Sequence, residues 1–136
     1  MATATPIFPQ TVKNGVITIV NATGTANVTS YTAGTSGAKI ESWIVTSTDT
    51  SDRILNIWYN TSATNYLIGT VNIPLNSGNS TSVPTVDILA NLTGLARDSN
   101  GNKYIYVSAS NLLTISVTVA VTAAKTVTSF IQAGDF

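Results

Sequence analysis

Ala38-Lys-Ile-Glu-Ser-Trp-Ile-Val-Thr-Ser47, the polar run Thr48-Asp-Thr-Ser-Asp52 and Arg53-Ile-Leu-Asn-Ile-Trp-Tyr-Asn60 together decide the fold class. In the first segment Ile40, Ser42, Ile44 and Thr46 alternate with Glu41, Trp43, Val45 and Ser47. The last sets Ile54, Asn56 and Trp58 against Leu55, Ile57 and Tyr59. A period of two belongs to a strand, whose successive side chains point to opposite faces. The five residues between have turn chemistry, because Asp, Ser and Thr side chains bond nearby backbone groups. Segments 38–47 and 53–60 are therefore expected to pair as an antiparallel hairpin.

Working outward, the same signals recur. Asn14-Gly15 reads as a turn, followed by the strand Val16-Ile-Thr-Ile-Val20 and a short strand at 28–32. Past 53–60, a strand over 66–73 is stopped by Pro74, and 76–84 is a polar loop. Val86 to Leu92 is the single plausible helical turn, ending near Gly94. Strands are expected at 104–107, 113–121 and 125–132, with 133–136 as a short tail. About eight strands divided by turn signals predict an all-β fold, an antiparallel jelly-roll-like β-sandwich. Residues 1–12 contain Pro6 and Pro9 around Ile7 and Phe8. Proline lacks the N–H that a central strand needs, so 1–12 reads as an extended N-terminal arm and 13–136 as one β-sandwich domain.

Composition agrees and excludes several functions. More than a third of the 136 residues are Thr, Ser or Asn, and Val and Ile are abundant, which favours strands and turns. The six basic residues, Lys13, Lys39, Arg53, Arg97, Lys103 and Lys125, are spread along the chain and balanced by six acids. No cationic field is evident, so nucleic acid is not an expected partner. The N-terminus has no secretory pattern, and no apolar run reaches the roughly 20 residues of a membrane helix, so no membrane association is expected. Cysteine is absent, as befits assembly in a reducing cytoplasm.

Catalytic chemistry has few candidates. Histidine, the usual general base near neutral pH, is missing, as is a thiol nucleophile. Ser36-Gly-Ala-Lys39 has the spacing of a lysine-activated serine, but in a Gly-rich loop entering a strand rather than on a helix. Asp49 and Asp52 are the one close carboxylate pair, and turn chemistry explains both. Asp98-Ser-Asn-Gly-Asn102 echoes half of a calcium loop, yet Ala109 stands where a bidentate Glu would fall. Five Asn-x-Ser/Thr triplets, beginning at Asn21, Asn27, Asn60, Asn79 and Asn91, are what a chain this rich in those residues produces by chance. No catalytic residue, metal or cofactor is expected.

Binding is the better expectation. Trp43, Trp58, Tyr59 and Tyr66 could form a platform for sugar rings, or fill the core and anchor subunit contacts. The run 113–121 is apolar or small on both faces, so it is either central or covered by a partner. Charged residues make up 9% of the chain, against about 25% in an ordinary domain. A surface so poor in charge suits permanent assembly with neighbouring subunits.

Five short pieces carry a resemblance. They are Thr5-Pro6-Ile7-Phe8, Tyr31-Thr-Ala-Gly34 with Gly37-Ala-Lys-Ile40, Arg53-Ile-Leu-Asn-Ile-Trp58, Ile73-Pro74-Leu75 and Gly134-Asp135-Phe136. In their order and spacing the chain resembles the decoration proteins, also called cement or auxiliary head proteins, of tailed bacteriophage capsids. Ala133 departs from the glycine expected there, and no aromatic stands near Lys125. The resemblance implies a structural protein of the virion, made in the host cytoplasm. It would bind the phage major capsid protein on the outer shell as a homotrimer and stabilise the lattice. Thr5, Pro6, Ile7, Phe8 and Pro9 of the arm, with Phe136, are the contact residues it implies. The alternative is a carbohydrate- or receptor-binding module of a phage tail or head fibre.

Overall fold

The computed structural model describes residues 8–136. Among the described residues, nine strands form two antiparallel sheets. One contains β1 (Thr11–Val20), β9 (Thr126–Asp135) and β3 (Ala38–Ser47) in that order. On the far side of β3, β6 (Val86–Asp87) pairs with Ile44 and Val45, and β7 (Ile105–Val107) pairs with 38–40. The other sheet has the order β2 (Val28–Thr32), β8 (Leu112–Val117), β4 (Arg53–Thr61), β5 (Thr64–Ile73). First and last strands are neighbours and the chain crosses repeatedly between sheets, which is the jelly-roll arrangement, with β6 and β7 sharing one strand position.

The expected hairpin between 38–47 and 53–60 does not form. Segments β3 and β4 lie in different sheets, so residues 48–52 cross the sandwich rather than close a turn within one sheet. Local turn chemistry reports that the chain reverses, but not which strand receives it. The alternation within 38–47 is also broken: a register shift between Ile40 and Ser42 sets Glu41 outward. Because a bulge inserts one residue, the side-chain phase flips there. Ala38, Ile40, Trp43, Val45 and Ser47 all come to face the core.

Asn14-Gly15 is not a turn. Both residues sit inside β1, opposite Gln132 and Ile131. The glycine serves close approach instead, because a Cβ on Gly15 would run into the carbonyl oxygen of Ser30 in β2. The arm expected over 1–12 gives way to strand at Thr11, while Met1–Ile7 lie outside the described residues. Strand β8 stops at Val117 instead of 121, and β9 runs on to Asp135, so the expected tail is mostly strand. The short helix α1 (Ile88–Asn91) falls where the helical turn was expected, with Asp87 accepting from Ala90 N at its start.

Both sheets bury their facing sides in one core. Ile19, Ile40, Trp43, Val45, Leu55, Ile57, Ile73, Leu113, Ile115, Val127 and Ile131 are at most 1% exposed. Strand β8 is central, flanked by β2 and β4, which accounts for its apolar inner side. Its outward Thr114 and Ser116 are buried as well.

Candidate interaction surfaces

Charges spread along the sequence are gathered by the fold. Asp49, in the β3–β4 crossing, is wholly buried. It accepts from Arg53 Nε at 2.7 Å, from Thr122 N at 3.0 Å and Oγ1 at 2.7 Å, and from Ser51 N at 3.1 Å. Burial pushes the Asp49 carboxyl up, but these donors outweigh it and hold it far below the usual range. Asp52 turns away and accepts from Leu75 N at 2.9 Å. The two carboxyls are engaged by different partners, so what looked like plain turn residues is a clasp between loops 48–52 and 118–125.

A second cluster closes the opposite end. Tyr31 donates its hydroxyl to Asp135 at 2.8 Å, and Lys13 stands 3.3 Å from the same carboxylate. Lys13 also donates to Thr32 O and lies 5.0 Å from the centre of the Tyr31 ring. Burial and the Asp135 charge raise the Tyr31 hydroxyl well above the usual tyrosine range. Burial pushes Asp135 the other way from its donors, Tyr31, Gly34 and Lys13, which win and lower it. Thus the Asp in Gly134-Asp135-Phe136 fastens β9 to β1 and β2.

Other sequence candidates are dispersed. Lys39 Nζ lies 3.5 Å from Glu41 and 4.8 Å over the Tyr104 ring, while Ser36 lines a separate hollow with Gln10, Tyr106 and Phe136. Asp98 Oδ1 accepts from Asn100 N and Asn102 N at 2.8 and 3.0 Å, so the carboxylate closes its own loop. No group of three potential metal-ligating side chains occurs among the described residues. Trp43 is in the core, donating to Ser129 Oγ at 2.8 Å. Trp58 lies on the outside of the other sheet, donating to Ser116 Oγ at 3.0 Å. Tyr59 accepts from Ser108 N and Asn111 Nδ2, and Tyr66 is exposed. The four aromatics therefore share no platform.

The outer face of the first sheet carries no charge across β1, β9 and residues 42–46 of β3. Its rows run Val16–Phe130–Ile44, Thr18–Thr128–Thr46 and Asn14–Gln132–Ser42. Along the edge strand β1, Val12, Val16 and Val20 are 87%, 63% and 39% exposed. This face leads to the base of the arm. Of the implied contact residues, Thr5, Pro6 and Ile7 lie outside the described residues. Phe8 is exposed, Pro9 packs against Gly134, and Gln10 N donates to Asp135 O at 2.8 Å. Phe136 is brought to the same end, its N–H on Gly37 O and its ring 6.1 Å from that of Tyr106.

Across β3 from this face lies a polar groove of about 490 Å³. Lys39, Glu41, Asp87, Arg97, Asp98 and Lys103 line it, half of the twelve charged residues in the chain. The sequence does not show the groove as a unit, although Arg97, Asp98 and Lys103 put three of its charges within seven residues. No protein-family model matches the chain, and no curated protein matches it in sequence.

Proposed function

We propose that this protein is a structural subunit that binds the outer surface of a bacteriophage capsid, as a homotrimer, and stabilises the major-capsid lattice without catalysing a reaction. The observation that supports this reading is the uncharged outer face of β1, β9 and residues 42–46 of β3, continuous with the arm base and Phe136. A ten-residue edge strand with solvent-facing valines is an aggregation hazard unless a neighbour covers it. Threonine rows and β-branched side chains suit a packed, neutral subunit contact. Symmetry repeats each modest contact, so a shell gains avidity without any single strong site. The resemblance in the arm, the 31–40 segment and the terminal Gly-Asp-Phe supplies the capsid as partner and the virion as location. Nucleic acid and membrane are not partners in this reading, and no helix among the described residues is long and apolar enough to cross a membrane.

Light scattering of the purified chain, and co-sedimentation with purified capsids lacking it, test the proposal. A trimer that co-sediments, with both properties lost in Val16→Asp while the fold is kept, is the expected result. A monomer that leaves capsids bare overturns it.

A further inference from the structure

The polar groove beside β3 is built rather than incidental. On its outer side β3 is paired by β7 at 38–40 and by β6 at 44–45, leaving Glu41 to Trp43 without a neighbouring strand. Glu41 and Ser42 form the floor of that gap, the bulge having turned Glu41 outward. One wall is α1 and its cap, Asp87, Leu89 and Ala90, and the other is the 97–104 loop.

The walls are held by their own charges. Lys103 donates to Ala90 O at 3.1 Å and Leu92 O at 2.7 Å, tying the loop to the end of α1. Asp98 closes the loop on itself, and Arg97 Nη1 donates to Gly101 O at 2.9 Å. The rest of the Arg97 guanidinium has no partner among the described residues, and the Glu41 side chain is 63% exposed. Glu41 has only Lys39 beside it, at 3.5 Å, so polar groups with spare hydrogen-bonding capacity stand on a fixed frame.

We infer that this groove binds a neutral oligosaccharide. Three cations and three carboxylates leave no net field, which disfavours a phosphate or a polyanionic chain. Vicinal hydroxyls both donate and accept, so they match a groove offering carboxylate acceptors at Glu41 and the second oxygen of Asp87 and donors on the Arg97 guanidinium. Hydrogen bonds to charged groups are stronger than neutral ones. The prior fixing of the walls reduces the ordering cost of binding. A glycan function thus attaches to this groove rather than to the tryptophans, and it stands independently of the capsid proposal.

Nuclear magnetic resonance titration of the full chain tests it. The probes are maltohexaose, cellohexaose, chitohexaose and a mannan hexasaccharide, with inorganic phosphate and one acidic and one basic peptide as controls. At least one sugar is expected to shift the amides of Glu41, Ser42, Asn102 and Tyr104 saturably, with little change in Kd between low and high salt. Glu41→Gln, solvent-facing and outside the bonds that fix the walls, should weaken it about tenfold or more with an unchanged melting temperature. The inference is overturned if no sugar shifts these amides, if phosphate or a peptide does so instead, or if the sugar shifts centre on Trp58 and Tyr66.

Discussion

Arg53 Nε and Asp49 Oδ2 stand 2.7 Å apart where the chain leaves one sheet for the other, the carboxylate entirely out of solvent and the guanidinium nearly so. The pair anchors two crossings at once, because Thr122 of the β8–β9 connection donates to the same carboxylate. Removing one member of a buried pair leaves the other charge uncompensated. Asp49→Ala is therefore expected to lower unfolding free energy by roughly 3–5 kcal/mol in urea titration. Asp52→Ala, which removes an exposed contact to Leu75 N, should cost far less.

Acid should unfold the protein through the same group. Asp49 and Asp135 hold folded pKa values below those of an unfolded chain. Their contribution is complete above the ordinary carboxylate range, near pH 4, and is lost as pH falls through and below it. Urea midpoints measured from neutral pH downward should fall below about pH 5, and Asp49→Asn should flatten that slope.

Tyr31 imposes the opposite limit. Its hydroxyl is raised, first by burial and then by its bond to Asp135, so the folded state holds this proton more tightly. That stability is whole below about pH 10 and is lost as pH rises past it. Absorbance titration should show one tyrosine ionising late, and Tyr31→Phe should remove that step.

Gly15 separates a turn from a close approach. A turn glycine with positive φ would tolerate little, but the carbonyl of Ser30 sets the constraint here. Gly15→Ala should destabilise by about 1–3 kcal/mol through forced backbone movement. Gly24→Ala, with open space around it, should report only the strain of its φ of 61°.

The two tryptophans should behave differently in fluorescence. Trp43 is sealed in the core, so acrylamide should quench it poorly, whereas Trp58 is half-buried on the surface. Trp43→Ala should cost about 3–5 kcal/mol, and Trp58→Ala less.

Much of this architecture was legible in the sequence. Strands at 28–32 and 38–47 coincide with expectation to the residue, because β-branched alternation and turn residues are local signals. Partner choice is not local: nothing in 48–52 reveals that the chain crosses the sandwich. The bulge at Glu41 hid for a similar reason: the residue types alternate without a break along 38–47, and the phase flips only through pairing with β9. Asn14-Gly15 misled because its turn chemistry is real, but tertiary contact with Ser30 overrode it. Asp49 read as a plain turn residue because one of its main partners, Thr122, is seventy-three residues away. The groove was invisible as a unit, its charges coming from 39–41, 87 and 97–103.

The adjacency of β1 and β9 has a consequence for how the molecule comes into being. The ten residues at 11–20 find their ladder only in 126–135, which also separates them from β3. A ribosome releases the first strand long before its companion, so this sheet cannot grow progressively during synthesis. Until the final segment emerges, β1 and β3 both wait with bare edges. Such distant pairing belongs to the slow class of small folds, with closure in milliseconds to seconds. Truncation near residue 126 would leave not a shortened sandwich but two strands with no seam to join them.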